Sequence, residues 1–398
     1  MEKVFIYDFL FLIMLFVLYK AGNKMRHKWN VLSLSGLAAI FAYTFNEGLR
    51  FGRGIDYNAY WKIYDRIALG EANDSIYVNQ DIGFYYFCRF LSEIGLEWQG
   101  CVIIMSLIFI LSSLIFLRVY KDSLQFALPL WILFTYVQTE NVMRWYVGMS
   151  LIMVGLTLVM QRKEKVSYLY YFILSGLGCT VHFGLIPVTI LLFLLVFIET
   201  PIMKPNFVYV GLFIMVVITQ ITNLLAFSDI FTSLALLSNR FSIYSEDVNY
   251  WMSKASTVGS LNNFSGIVDF VCSLFVLSFG YEVCSKAGRN YVFAYNLFAL
   301  AFLFRPITTQ MELVNRYDTL FYSFRAIVYA RILLNMVMVR QLKRKLAWEP
   351  IMTVVMFINI AQSVLVPFRN DPHKYLYYWD KGNFTADKMY QVYFNDKK

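Results

Sequence analysis

Long apolar runs recur along this chain of 398 residues and are separated by short polar turns. A helix that crosses a bilayer needs roughly 20 predominantly apolar residues. About twelve stretches approach that requirement: 4–19, 31–45, 99–117, 124–137, 145–160, 167–180, 185–198, 207–225, 263–283, 291–304, 317–339 and 347–366. They predict an all-α, polytopic integral membrane protein of about 12 transmembrane helices, organised as one membrane-embedded domain over 1–398. The first stretch does not read as a cleavable signal peptide. It contains Asp8 and starts with little basic charge, and the bulky, basic segment 19–30 stands where small cleavage-site residues are needed. No internal repeat of six helices is visible, which argues against a major-facilitator-like arrangement.

Two segments have a different pattern. Tyr57, Tyr60, Trp61, Tyr64 and Ala68 recur at helical spacing, with Lys62, Asp65 and Arg66 mainly off that stripe. This predicts an amphipathic helix lying flat on the outer membrane surface. Ile82 to Leu96 is apolar but only about 15 residues long, which suits an interfacial or re-entrant helix better than a span.

Composition agrees with a membrane protein. Hydrophobic residues make up 59% and charged residues 15%, against about 25% charged in soluble domains, which excludes a disordered chain and disfavours a soluble enzyme. The net charge of +9 would suggest a nucleic-acid partner in a soluble protein. Here it follows topology. With Lys20, Lys24, Arg26 and Lys28 placed in the cytoplasm, every later basic turn falls on the same side: Arg118 and Lys121, Arg162 to Lys165, Lys286 and Arg289, and Arg340 to Lys345. With Lys204 in the remaining turn, these turns hold 16 of the 35 lysines and arginines, so no nucleic-acid partner is expected. Both termini then face outward, and the outer side carries the long loops, about 46–98, 226–262 and 367–398. The five cysteines are widely spaced and read as small buried hydrophobes. Three histidines and no ligand-spaced cluster imply no metal and no cofactor.

Candidate chemistry gathers on the outer side. Arg50-Phe51-Gly52-Arg53-Gly54-Ile55-Asp56-Tyr57 sets two arginines close together on a turn-forming backbone. Guanidinium groups offer paired donors to phosphate oxygens, so Arg50 and Arg53 suit either a diphosphate or lipid headgroups. Asp56 stands where a helix N-cap stands, and serves either as that cap or as a proton acceptor. Arg144 opens a helix after Thr139-Glu140-Asn141 and acts either as a ligand or as an interface anchor. His182, in a short turn between two spans, is either a packing residue or a general base. Arg305 and Arg316 bracket a short loop. Asp318, Tyr322 and Arg325 share a helical face. Arg325 lies about 13 Å along its helix, a depth at which an arginine needs a partner or a wet cavity, and Asp269 is at comparable depth. Arg331 either pairs with Glu282 or snorkels. Tyr375, Tyr377, Tyr378 and Trp379 suit sugar stacking but read better as an interfacial aromatic belt. Asn383-Phe384-Thr385 matches a glycosylation sequon of low specificity.

Taken in order, these motifs resemble the EpsG-like, Wzy-type polysaccharide polymerases. The resemblance runs from Arg50-Phe51-Gly52-x-Gly54-x-Asp56-Tyr57-x-x-Tyr60 through Asp81-Ile82-Gly83-Phe84, Asn141-x-x-Arg144, His182 and Asn315-Arg316-Tyr317 to Val366-Pro367-Phe368, where a Pro-Tyr is the expected pair. It implies a fold similar to C-type membrane glycosyltransferases, with interfacial helices on the outer face. The implied reaction joins undecaprenyl-diphosphate-linked oligosaccharide repeats outside the bacterial inner membrane. The hydroxyl of a lipid-linked acceptor attacks the donor's anomeric carbon and undecaprenyl diphosphate leaves. Donor, acceptor and membrane lipid are the implied partners, with room for a chain-length regulator protein. Arginines would stabilise the leaving group without a metal: Arg50, Arg53, Arg144, Arg305, Arg316 and Arg325. His182 or Asp56 would take the proton, with His182 modestly favoured. Inversion is the simpler expectation, because no nucleophile and acid carboxylate pair is evident. The competing readings are an O-antigen ligase using the same donor, a lipid-linked oligosaccharide flippase, and a scaffold without catalysis.

Overall fold

The computed structural model describes residues 2–54, 56–70, 81–162, 164–221, 264–308, 312–336, 349–365 and 376–380. Loop 226–262, the Val366-Pro367-Phe368 motif, Tyr375, the basic turn Arg340 to Lys345 and the sequon at Asn383 lie outside the described residues. The described residues form helices joined by short turns, with an isolated antiparallel bridge between Arg50 and Tyr377. The chain divides into two compact units, Met1–Val196 with Ser363–Lys398, and Phe197–Gln362. A reading of 1–398 as one domain does not anticipate this division.

In the first unit, α1 (Glu2–Met25) packs against α2 (Leu34–Gly48) and α6 (Leu124–Asn141). Helix α2 lies on α5 (Trp98–Leu117), α5 on α7 (Met143–Gln161), and α7 on α8 (Lys165–Val181). The start of α2 is fixed by Ser33, whose hydroxyl accepts the Gly36 amide at 3.2 Å. Helices α5 and α6 are joined by a 3-10 turn over Arg118–Ser123, with a non-helical kink at Tyr120. Among the described residues, five helical stretches are long and apolar enough to cross a membrane: Ile6–Met25, Trp98–Asn141, Met143–Gln161, Gly266–Ala287 and Arg289–Thr308. Large apolar side chains are exposed in stripes, such as Phe9, Leu12, Ile13 and Phe16 on α1 and Leu169, Phe172, Ile173 and Leu177 on α8. Water would not tolerate such patches. The protein is membrane-embedded.

Two short helices occupy the segment before α5. Helix α3 (Tyr57–Ala68) is amphipathic as expected, but it does not rest its apolar face on lipid. Tyr57, Tyr60, Trp61, Tyr64 and Ile67 are buried in a protein core with Phe51, Phe84, Cys88, Trp98 and Cys101. The phenol of Tyr57 donates to Gln99 Oε1 at 3.2 Å, and that of Tyr64 to the Leu96 carbonyl at 2.5 Å. Polar partners inside the protein draw this face inward. Ile67, not Ala68, completes the stripe. Helix α4 (Ile82–Glu93, 12 residues) is about 18 Å long, too short for a hydrocarbon layer of about 30 Å. Ile82, Tyr86 and Phe90, four residues apart, are exposed on it, which suits an interfacial helix. Gly83 lets α4 close on α8, because a Cβ there would overlap Thr180.

In the second unit, α10 (Pro205–Ile221), α11 (Phe264–Ala287), α13 (Glu312–Tyr322) and α14 (Arg325–Leu334) all pack on α12 (Arg289–Thr308). The single helix predicted over 317–339 is interrupted. The hydroxyls of Thr319 and Ser323 donate back to the carbonyls of Asn315 and Thr319 at 2.6 and 2.7 Å, a pattern that bends helices. The backbone then tightens to three-residue spacing, with Phe324 donating to Phe321 and Ala326 to Ser323. Arg325 therefore opens a helix of its own instead of lying deep along one. The chain continues through α9 (Ile186–Leu195) in the first unit and α15 (Glu349–Leu365).

Candidate functional site

The candidate residues fall into separate clusters. In the first unit, Arg50 and Arg53 follow α2 on a loop held by the segment 376–378. The Phe51 amide donates to the Leu376 carbonyl at 3.0 Å, and the Tyr378 amide to Leu49 at 2.8 Å. Gly54 has φ 100° and faces the Glu140 carbonyl, where any Cβ would overlap. This brings Arg53 into the core between α2 and α6. It donates to the Asn46 carbonyl at 2.5 Å, pairs with Glu140 at 3.3 Å, and lies 4.0 Å from Glu47. The rings of Tyr7 and Tyr377 cover its guanidinium at 4.8 and 5.1 Å. Burial pushes its pKa down, but Glu140, Tyr7 and Glu47 outweigh that and raise it well above its ordinary value. Arg53 is fully buried and permanently charged, and Tyr377 sits in this core and not in an aromatic belt. Arg50 pairs with Glu47 at 3.1 Å, is also buried, and borders a small cavity with Tyr43, Ser106, Thr139 and Tyr146. Two buried arginines are therefore matched by two buried glutamates. Arg53 is closed off from an outside ligand, which argues against it as a direct diphosphate contact, while Arg50 faces only the small cavity.

The cost of that arrangement is testable. Glu140→Ala leaves the Arg53 guanidinium buried without its nearest carboxylate, a loss of about 3–5 kcal/mol. A lowered thermal midpoint of the solubilised protein is expected, with much of the loss restored when Arg53 is also replaced by Met.

A second cluster unites four of the sequence motifs. Arg144, at the start of α7, donates to Asp81 Oδ2 at 2.5 Å. Asp81 Oδ1 accepts the Phe183 amide at 3.4 Å, so one carboxylate ties α4, α7 and the turn after α8 together. Tyr60 and Phe84 flank the Arg144 guanidinium at 5.1 and 5.5 Å, and Asp56 adds its charge to the field there. Asp56 occupies the N-cap position of α3 but makes no side-chain capping bond. His182 ends α8. Its Nδ1 accepts the Gly184 amide at 3.1 Å, and its ring packs edge-on against Trp145 at 5.0 Å. A neutral imidazole that accepts at Nδ1 carries its proton on Nε2, so the ring presents a donor. The capping alternative for Asp56 is not realised, whereas the packing alternative for His182 is.

The third cluster lies in the second unit. Arg325 pairs with Asp269, its expected partner. Asp269 also accepts from the Tyr322 hydroxyl at 2.9 Å and from Asn359 Nδ2 at 3.1 Å, and lies 3.9 Å from Arg305. Arg305 donates to Asp318 at 3.3 Å and stacks on Tyr322 at 3.9 Å. Its side chain is 31% exposed, against 10% for Arg325. Arg316 is half-buried on α13. Arg331 covers the Tyr291 ring at 5.0 Å, while Glu282 pairs with Lys286 at 2.5 Å, so of the two alternatives for Arg331 the pair with Glu282 is not the one formed.

Sequence reasoning missed Glu47 and the pairing roles of Glu140, Asp81 and Asn359. An acid inside or beside an apolar helix signals a buried partner, and that signal was present at Glu47 and Glu140. Among the described residues, no group of three or more acidic, His or Cys side chains is placed to hold a metal.

No curated protein and no solved structure matches the chain. A family match does exist, described as the EpsG family, and it extends over residues 33–378. That range contains every arginine of the three clusters, together with Asp56 and His182. With most of its length matched, the chain belongs to the EpsG family, whose members are Wzy-type polymerase-like proteins.

Proposed function

We propose that this protein polymerises oligosaccharide repeats carried on undecaprenyl diphosphate, by metal-independent glycosyl transfer at the outer face of the bacterial inner membrane. About twelve spans and a resemblance to C-type membrane glycosyltransferases are part of this reading. The observation that carries it is Arg305: a cation anchored by two aspartates and an aromatic ring, yet with 31% of its side chain reachable. A departing diphosphate gains negative charge in the transition state, and a pre-placed guanidinium stabilises that charge without reorganising. Arg316 is the second contact. Arg325 positions Asp269, which in turn orients Arg305.

In the first unit, the Arg144 cluster holds the two candidate bases, Asp56 and His182. Asp56, partly exposed beside Arg144, takes the acceptor hydroxyl proton. His182 offers Nε2–H to a sugar or phosphate oxygen. Arg144 keeps Asp81, and with it the turn at Phe183, in position. Arg50 and Arg53 hold the fold of this unit.

The experiment is a gene deletion with analysis of surface glycan. A strain that caps its acceptor with single repeats has lost polymerisation, which is the expected result. Loss of all capped product identifies a ligase, and repeats retained on the cytoplasmic leaflet identify a flippase. Either result overturns the proposal.

A further inference from the structure

We propose that a groove between α10 and α11 seats the isoprenoid chain of the lipid-diphosphate donor. This inference rests on the donor assignment above and adds to it a place for the lipid. The groove holds about 600 Å³ and is lined almost entirely by apolar atoms, a size within the usual range of small-ligand sites. Leu212, Phe213 and Val216 form one wall, and Phe270, Leu274 and Phe275 form the other. With Val271 added to the second wall, each set has members three and four residues apart, so each wall is one continuous helix face.

The two ends of the groove differ. At one end, Tyr209 closes it by donating to the Leu274 carbonyl at 3.3 Å and meeting the Ser278 hydroxyl. At the other end, Phe270 packs tilted against Phe302 at 5.5 Å, and Phe302 stands one turn before Arg305 on α12. Phe270 also directly follows Asp269, whose carboxylate engages Arg305 and Arg325. An apolar channel therefore opens beside a reachable cation.

From Phe270 to Ser278 the groove runs about 12 Å along α11. That length covers the part of an extended chain nearest its headgroup. A ligand that fits both features has a single apolar chain joined directly to a multiply charged head. A polyprenyl diphosphate has that form. A phospholipid has two chains held on glycerol and a phosphodiester of lower charge, so it matches the cationic end less well.

The test uses the full-length protein in phosphatidylglycerol nanodiscs and a polyprenyl diphosphate with a photoreactive diazirine in the units nearest the diphosphate. Labelling is expected in 209–216 and 270–278, lost on addition of unlabelled polyprenyl diphosphate and unaffected by added phosphatidylglycerol. Val216→Trp and Val271→Trp, both at partly exposed lining positions, should remove the labelling while the thermal midpoint and monodispersity of the protein are kept. Competable labelling that maps elsewhere overturns the groove and leaves the donor assignment standing. Equal displacement by phosphatidylglycerol makes the groove an ordinary lipid contact and overturns the inference. No competable labelling anywhere removes the donor assignment and the groove together.

Discussion

Arg305→Gln is expected to stop chain growth, with a loss of about 10²–10³-fold, while membrane insertion and the thermal midpoint stay near those of the unaltered protein. Glutamine keeps a donor for Asp318, which Arg305 meets at 3.3 Å, and the exposed side of Arg305 lets water screen the site, so losing the charge costs less here than at the sealed Arg53. Asp269 retains Arg325, Tyr322 and Asn359. Arg305→Lys restores the charge without the planar fork, and a partial recovery is expected. Arg53→Gln should behave in the opposite way. Arg53 is sealed between Glu140, Tyr7 and Tyr377, so its loss should appear as reduced stability and reduced protein level. Polymer assays set beside thermal unfolding of each variant separate the two classes. Near-normal polymer from Arg305→Gln would remove the diphosphate role.

Asp56→Asn is expected to lower turnover by about 10²–10⁴-fold, the range for a lost general base. Asparagine has the same shape but cannot take the proton. His182 supplies the contrast. His182→Asn can still accept the Gly184 amide, as asparagine commonly does in turns, and so preserves that bond. More than about a tenth of normal turnover is expected from His182→Asn if the ring only packs and donates, and a loss like that of Asp56→Asn if it is the base. Single-turnover rates with a fixed donor and acceptor measure both. A severe loss in His182→Asn together with normal rates in Asp56→Asn would reverse the assignment.

Much of the helical framework was legible in the chain because lipid leaves the backbone little choice. Apolar runs such as 99–117 and 145–160 correspond closely to α5 and α7. Where polar groups compete with that rule, the pattern misleads. The run over 317–339 looks continuous, yet hydroxyls at Thr319 and Ser323 turn back onto the backbone and split it. The aromatic stripe of α3 reads as a lipid-facing surface because its hydroxyl partners, Gln99 and the Leu96 carbonyl, lie more than 30 residues away in sequence.

For the candidate site, the residues were legible and their roles were not. All six arginines carry the same charge, and only pairing and exposure separate them. Arg53 is closed off by Glu140, 87 positions away in the chain, whereas Arg305 keeps a reachable face. His182 and Asp56 differ for a local reason. Asp56 makes no side-chain capping bond, and a backbone amide occupies one imidazole nitrogen at His182.

The most direct measurement of the central claim is turnover by the purified protein supplied with a single synthetic undecaprenyl-diphosphate-linked repeat, in the presence of a metal chelator. A ladder of products growing by whole repeats is expected, with one undecaprenyl diphosphate released for each bond formed. Repeats recovered unchanged from protein that binds them, or growth that stops when the chelator is added, would contradict it.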